Sequence, residues 1–475
     1  MKKLTPSKFL LDNKSRLQSI VNDLSQDFAY VSLLGSDVSG TRYQVGTSNT
    51  ILLPSRDEQR GFVIRVYQEG CGYTEYSFNM LDEHKVCARV RELAREDRAK
   101  FITGKTRVDY ARLPEDEPAS LFHVGEVECL PEDDKPEEII GRLQAMHDET
   151  KPKYPQVVQL AYLYAFTQVN KLFLSKNRDL YQSYGYTEAY AYAAASNQEK
   201  TEIDMLSVSG LAGSELIGQL APLGDEACRR AIELLSAQKL IPGEYDIICD
   251  PDFTGLIAHE AFGHGAEMDM FVKNRAKGME YLGRRVASDR VQMHDGATAA
   301  KEVSSYLFDD EGTLGGDTLI IDKGMLKTGI CDELSAILLG IRSTGNGKRE
   351  SYKRKAYTRM TNTFFATGAD RLEDMIASIK KGYLLEGYSS GMEDPKNWGI
   401  QCEGRKGREI IDGKLTGKIV SPVYLTGYVP DLLESISMVS DGLKLNGVGY
   451  CGKGWKELVK TSIGGSYIKA RGRLS

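Results

Sequence analysis

Histidine is scarce in this chain, with six among 475 residues, so any site built on imidazoles has few candidates to draw on. Long apolar runs are missing as well. No stretch approaches the roughly 18 apolar residues that a membrane-spanning helix needs. After Met1-Lys2-Lys3, the charged Lys8, Asp12, Lys14 and Arg16 interrupt any apolar segment of the secretory kind. The expectation is a cytoplasmic protein with no membrane partner. An excess of positive charge is also absent: net charge is -6 and the pI about 5.8, whereas nucleic-acid binders are normally basic, so no nucleic-acid partner is expected. The cysteines Cys71, Cys87, Cys129, Cys228, Cys249, Cys331, Cys402 and Cys451 include no C-x-x-C pair, which removes the usual redox and zinc-ribbon patterns. In a reducing compartment most are expected to be small buried residues, with one of them available as a metal ligand. Internal repeats and low-complexity tracts are not found either.

What remains is a mixed α+β pattern. The length allows about two or three domains. Residues 1–225 are expected to form an N-terminal α+β domain, and 226–475 a C-terminal domain of antiparallel, barrel-like sheet carrying few helices. Apolar periodicity predicts helices at 7–24, 81–101, 137–148 and 225–239. Strands are expected at 28–34, 41–45, 61–67, 73–78 and 245–249. The stretch 106–155, with Pro114, Pro118, Pro131 and Pro136, reads as mostly loop. Tyrosine-rich alternation over 157–194 predicts antiparallel strands with half-buried tyrosines. Further on, strands are expected at 318–321 and 399–404 and helices at 372–380 and 432–440.

The densest chemistry lies in His259-Glu260-Ala261-Phe262-Gly263-His264. Two imidazoles can hold a metal ion, and an adjacent carboxylate can take a proton from a water activated by it. The familiar zincin spacing is H-E-x-x-H, with the histidines at i and i+4. Here the second is at i+5, which on a regular helix lies about 140° around the wheel from the first. The backbone must therefore depart from an α-helix. A π-bulge would bring i and i+5 together, and Gly263 could alternatively end or bend the helix. A helix beginning near Thr254 as N-cap and distorted near Gly263 is expected. Weaker candidates for the site are Glu267 and Asp269, which could orient a histidine, and His294. The basic run Lys348, Arg349, Lys353, Arg354, Lys355, Arg359 reads either as a solvated face or as a steering patch for a peptide carboxylate or oxyanion.

Four segments together carry a family resemblance. They are His259 to Gly265 with Glu267 and Asp269, Gly345-Asn346-Gly347-Lys348-Arg349-Glu350-Ser351-Tyr352, Arg359-Met360-Thr361-Asn362-Thr363, and Gly447-Val448-Gly449-Tyr450-Cys451-Gly452-Lys453. Their order and intervals resemble the PmbA/TldD family, also called "modulator of DNA gyrase", in its TldD type. The resemblance implies a zinc peptidase: His259, His264 and Cys451 as metal ligands, Glu260 as general base, and short or unfolded peptides as substrates. It also implies a homodimer, or a heterodimer with a PmbA/TldE-type subunit. Two imidazoles and one thiolate would leave a fourth zinc position for water, as catalytic sites require. The competing readings are a zinc amidohydrolase acting on non-peptide amides and a non-catalytic peptide-binding subunit. The base beside the histidines favours catalysis.

Overall fold

The computed structural model describes residues 1–104, 110–114, 116–453 and 457–475; part of the loop expected over 106–155 therefore lies outside the described residues. Ser7 opens the first helix, Lys8–Leu24, by accepting a hydrogen bond at its Oγ from the Leu10 N–H at 3.1 Å. The helix buries Leu10, Leu17, Ile20, Val21 and Leu24, as the 3.6-residue periodicity predicts. Together with the helix Glu83–Thr103 it covers part of a mixed eight-stranded sheet. The strand order runs Thr201–Gly210, Arg178–Ser196, Val157–Ser175, Tyr30–Gly46, Gln59–Gln68, Gly72–Phe78, with Thr50–Pro54 and Ala119–Val124 pairing from the side. The expected tyrosine-rich strands are the long pair Val157–Ser175 and Arg178–Ser196, and Tyr162, Tyr164, Tyr181 and Tyr186 are buried on it.

Two local expectations change. The strands expected at 28–34 and 41–45 are one continuous strand, Tyr30–Gly46. Its glycines mark close approach, not a turn: a Cβ on Gly35 would stand 2.9 Å from Leu10 Cδ2, and one on Gly40 would overlap the Phe166 carbonyl. The helix expected at 225–239 is Leu220–Leu234, so residue 225 lies within it. Its Leu220, Ala227, Cys228 and Ala231 join the tyrosine-bearing strands and the helix Pro136–Thr150 in one core cluster.

The C-terminal half holds a closed five-stranded barrel. Strands Gly243–Cys249, Lys381–Asp394, Gly399–Ile411, Val423–Tyr428 and Ile468–Leu474 follow one another, and the last returns to the first in antiparallel register, Gly243 to Leu474 and Cys249 to Ile468. The barrel-like sheet expected from sequence is thus present, with one parallel pairing, Gly243–Cys249 on Lys381–Asp394. A separate six-stranded sheet includes Met293–Asp295, Thr318–Asp322, Asn362–Phe365 and Ser462–Gly465. Between barrel and sheet runs the helix Pro251–Ala258. Its Phe253 and Ile257, with Phe262 beyond it, pack in one cluster with Leu385, Ile400 and Leu425 of the barrel and Phe365 and Ile463 of the sheet. Burial of such side chains stabilises by about 1.5–3 kcal/mol each, so the helix is anchored from both sides. The helix expected at 432–440 begins earlier, at Val429–Glu434, where Pro430 suits the first turn. All eight cysteines are free thiols, six of them buried. No helix among the described residues is long and apolar enough to cross a membrane.

Candidate metal centre

Asp250, not Thr254, caps the helix that carries the site. Its Oδ1 accepts from the Phe253 N–H at 2.8 Å, and Pro251 occupies the first turn. Thr254 is fully buried one turn further on and donates its hydroxyl to the Cys249 carbonyl. The regular helix stops at Ala258. His259–Gly263 is a π turn, in which the His264 N–H donates to the His259 carbonyl, and a short 3₁₀ turn, His264–Ala266, follows. The i+5 spacing thereby brings both imidazoles to one side, with ring centroids 5.0 Å apart and planes at 85°. Gly263 has no room for a side chain, because a Cβ there would collide with Met360 Sδ.

Cys451 comes from the strand Tyr450–Lys453. Its Sγ lies 3.2 Å from His264 Nε2, and the donor atoms of His259, His264 and Cys451 all lie within 4.8 Å of one another. Among the described residues this is the one such grouping of His, Cys, Asp or Glu side chains. Burial pushes the Cys451 thiol up, but the His264 and His259 imidazoles outweigh it and hold the thiol well below its ordinary value. Burial likewise opposes charge on His264, yet Cys451 and Glu267 raise it well above the usual imidazole value. His259 Nδ1 is buried without a hydrogen-bond partner. A buried ring nitrogen without a partner, beside a thiolate-prone cysteine and a second imidazole, suits a tetrahedral divalent ion, and the set fits zinc.

Glu267, not Asp269, is the carboxylate that faces His264. Its Oε2 faces His264 Nδ1 at 3.1 Å, while Lys453 Nζ stands 3.0 Å from the same oxygen and Arg359 Nε 3.8 Å from Oε1. Burial works against the Glu267 carboxylate, but Lys453 and His264 hold it ionised, far below the usual carboxylate range. Asp269, the other candidate, is occupied by Lys453 at 2.6 Å and Lys273 at 3.0 Å. Arg359, 1 % exposed, also donates from Nη2 to the Cys451 carbonyl at 2.5 Å and from Nη1 to the Glu457 carbonyl at 2.7 Å. One guanidinium thus ties the cysteine strand to the carboxylate that holds His264.

The rest of the basic run does not reach the site. Lys348 is half-buried and donates to Ser304 Oγ and the Met360 and Lys460 carbonyls, and desolvation of its amine, then Arg359, pushes it down to about 7. Arg349 pairs with Glu75 at 2.6 Å. None of the run lines the cleft above the metal centre. The motif residues Asn346, Thr361 and Thr363 all converge on buried Asp295, which explains their joint presence as a packing hub. His294 stacks on Phe364 and faces Asp317 at 2.8 Å, apart from the cluster.

Glu260 faces a cleft of about 580 Å³ shared with His259, His264 and Cys451. Its aliphatic stem lies against Gly391, where a Cβ would stand 2.7 Å from Glu260 Cγ. The cleft walls include Asp204, Met205, Leu206 and Ser207 of the N-terminal edge strand and 387–393 of the barrel strand. Glu393 on that wall is pushed up to about 7 by burial, with Glu260 adding to the shift and His264 opposing it. Sequence reasoning passed over Lys453, Glu393 and the contribution from the N-terminal half, and took Arg359 only as one charge of the basic run. Lys453 stood inside a quoted motif, but spacing alone gave it no role.

Residues 242–472 match the PmbA/TldA metallopeptidase C-terminal domain. The chain is 35% identical over 229 residues to a metalloprotease TldD homolog of Buchnera aphidicola, covering 48% of this chain and 47% of that protein. It is 34% identical over 250 residues to a Methanocaldococcus jannaschii metalloprotease, covering 53% and 54%. In these two alignments the chain spans about half the length of the relative. A zinc metalloprotease TldD homolog of Saccharolobus solfataricus aligns over 450 residues at 23% identity, 92% of this chain and 96% of that one. Two solved structures share the fold nearly end to end. A Thermotoga maritima protein described as a modulator of a DNA gyrase superposes with a TM-score of 0.78 at 15% identity, covering 97% of this chain and 100% of that one. TldE from Thermococcus kodakarensis gives 0.72 at 16%, covering 97% and 99%.

Proposed function

We propose, from the match of residues 242–472 to the PmbA/TldA metallopeptidase C-terminal domain, that the chain is a zinc peptidase cutting short or unfolded peptides. The observation that carries the reading is the placement of Glu260 in the same cleft wall as the His259, His264 and Cys451 donors. His259, His264 and Cys451 would hold the ion, with Glu267 orienting His264. Bound zinc supplies Lewis acidity, which makes water a nucleophile near neutral pH and polarises a carbonyl. Glu260 takes the proton of the attacking water on its carboxylate and returns it to the nitrogen of the leaving amine. Purely structural zinc sites usually fill four positions with protein ligands and have no use for a base.

The cleft walls favour a peptide main chain. Among the described strands, the edge strand Thr201–Gly210 pairs on one side only, with Arg178–Ser196. The barrel strand pairs with Gly243–Cys249 only through Leu385, so among the described strands 386–394 has one neighbour, Gly399–Ile411. Backbone groups free for pairing on both walls support binding of an extended segment as an added strand, which gives affinity with little side-chain choice. It would admit loose chains and exclude folded ones. We further propose a dimeric assembly, with itself or with a TldE-type partner.

The test is incubation of zinc-loaded protein with a mixed peptide library, alone and with a TldE-type partner, read by mass spectrometry. Chelator-sensitive cleavage is expected. Cleavage that survives chelation, or none under either pairing, would sink the reading.

A further inference from the structure

Arg230, Arg405 and Asp204 line the same cleft as Glu260 and the metal-centre donors. They arrive from three elements: the helix Leu220–Leu234, the barrel strand Gly399–Ile411 and the edge strand Thr201–Gly210. Asp204 is fully buried and divided between the two cations, with Oδ2 3.0 Å from Arg230 Nε and Oδ1 3.6 Å from Arg405 Nε. Each guanidinium therefore meets Asp204 through Nε. Among the described residues no hydrogen bond is found from an Nη group of either arginine.

The neighbouring carboxylates are engaged elsewhere. Glu386 pairs with Arg408 at 2.9 Å and Lys406 at 3.4 Å, Glu226 with Arg229 at 2.8 Å, and Asp252 with Lys444 at 3.1 Å. Asp250 accepts from the N–H groups of Phe253 and Gly387, and burial keeps its carboxyl near 7. Two guanidiniums, with side chains 16% and 20% exposed, thus share one anion. Holding a cation in that partly desolvated position costs free energy unless a counter-charge completes it. A planar guanidinium fork matches a carboxylate in geometry and charge. The wall beside them is bare: Gly387 has φ +61°, and a Cβ there would lie 3.4 Å from Arg405 Cδ and 3.8 Å from Arg230 Nη2. A side chain at that position would extend over both cations.

We propose that Arg230 and Arg405 form a carboxylate-binding subsite of the cleft, so that its preferred peptides are anchored by a carboxylate. The carboxylate is either the C-terminal one or that of an Asp or Glu side chain. The inference rests on the peptidase reading for the kind of ligand, since metal centre and arginines share one cavity of about 580 Å³, a size suited to a short segment. It also moves carboxylate recognition away from the basic run 348–359, none of whose cations lines the cleft.

Binding and turnover must be read separately. Full-length zinc-loaded protein carrying Glu260→Gln would be titrated calorimetrically with three versions of one neutral hexapeptide: the free acid, the C-terminal amide, and the amide with one internal Glu. The free acid, the Glu peptide, or both should bind at least about tenfold more tightly than the plain amide, and whichever does identifies the carboxylate used. Arg405→Gln in that background should erase the preference, and Arg405→Lys should restore part of it. Equal affinity for all three peptides overturns the proposal, and that comparison needs no arginine variant to fold. A preference that survives both Arg405→Gln and Arg230→Gln also overturns it. Carboxylate-selective binding with no turnover by the protein bearing Glu260 would support the subsite and remove the peptidase reading. Turnover with no selectivity would do the reverse.

Discussion

Cys451 Sγ and His264 Nε2 stand 3.2 Å apart although 187 positions separate them in the chain. Two donors on a tetrahedral zinc, at bonds of about 2.0–2.3 Å, stand roughly 3.5 Å from each other, so the pair is spaced as co-ligands are. The contact exists only when the strand Tyr450–Lys453 is folded against the π turn, so a metal held there would depend on the folding of the whole C-terminal half. Cys451→Ala should therefore leave the protein folded and cost it zinc. Metal analysis after dialysis reads this directly, and retention of one zinc per chain in the variant would remove Cys451 from the ligand set.

Glu260 should separate binding from chemistry. It lies beside the three donors without being one of the grouped atoms. Glu260→Gln keeps the shape and loses the proton acceptor. Zinc content should be unchanged, while kcat on a cleaved peptide should fall by about 10²–10⁴-fold, the usual worth of a general base. Loss of zinc in this variant would instead place Glu260 among the ligands.

Glu267 faces His264 Nδ1 at 3.1 Å and is itself fixed by Lys453. Carboxylates in that position set the tautomer and direction of a ligand imidazole and raise its basicity. Glu267→Gln should weaken zinc binding by about 10–100-fold with the fold retained. Competition against a chromogenic chelator would measure it. Asp269→Asn, removing a carboxylate that meets Lys453 and Lys273 instead, should have a smaller effect on affinity.

Much of this was legible in the sequence because it was local. Periodicity placed the first helix from Ser7, and tyrosine alternation placed antiparallel strands over 157–194. The i+5 spacing demanded a break from α geometry and named a π-bulge as one answer, and Cys451 was reachable through its motif. The illegible parts depended on contacts between distant segments. Gly35 and Gly40 look like a turn in one dimension, because Leu10 and the Phe166 carbonyl, which leave them no room, lie elsewhere in the chain. Thr254 has cap chemistry, but Asp250, followed by Pro251, reaches the free N–H groups first. Arg359 read as one charge in a basic run because nothing local shows that its partners are Glu267 and the Cys451 carbonyl. Asp204 and Arg405 share a cleft wall while lying in different halves of the chain.

Asp250 should leave a mark on stability against pH. Burial first, and Asp252 second, push its carboxyl from 3.8 up to about 7, against the hydrogen bonds from Phe253 and Gly387. The folded protein then keeps a proton that the unfolded chain, titrating near the ordinary value, has released. Stability from this group is complete below about pH 4 and is lost as pH rises through about 7. At about 1.4 kcal/mol per unit, the loss is about 4 kcal/mol at most. Asp250→Asn retains an acceptor oxygen without the titration. Relative to the variant, the wild-type protein should lose stability between pH 4.5 and 7.5 in urea unfolding. Parallel profiles would mean that Asp250 ionises in the fold without penalty.

The π turn itself can be tested through Gly263. The turn lets His259 and His264 converge, and it presses residue 263 against Met360, leaving no space for a Cβ. Gly263→Ala must displace Met360 or unwind the turn. Overpacking of this kind costs about 1–3 kcal/mol, and displacement of the backbone would also spread the two imidazoles. Lower thermal stability and weaker zinc binding should appear together. Adding Met360→Ala opens the volume that the new methyl needs, so the double variant should recover zinc affinity even though its core is less filled. If the double variant binds zinc no better than Gly263→Ala alone, the constraint at this position lies in the backbone of the turn and not in its contact with Met360.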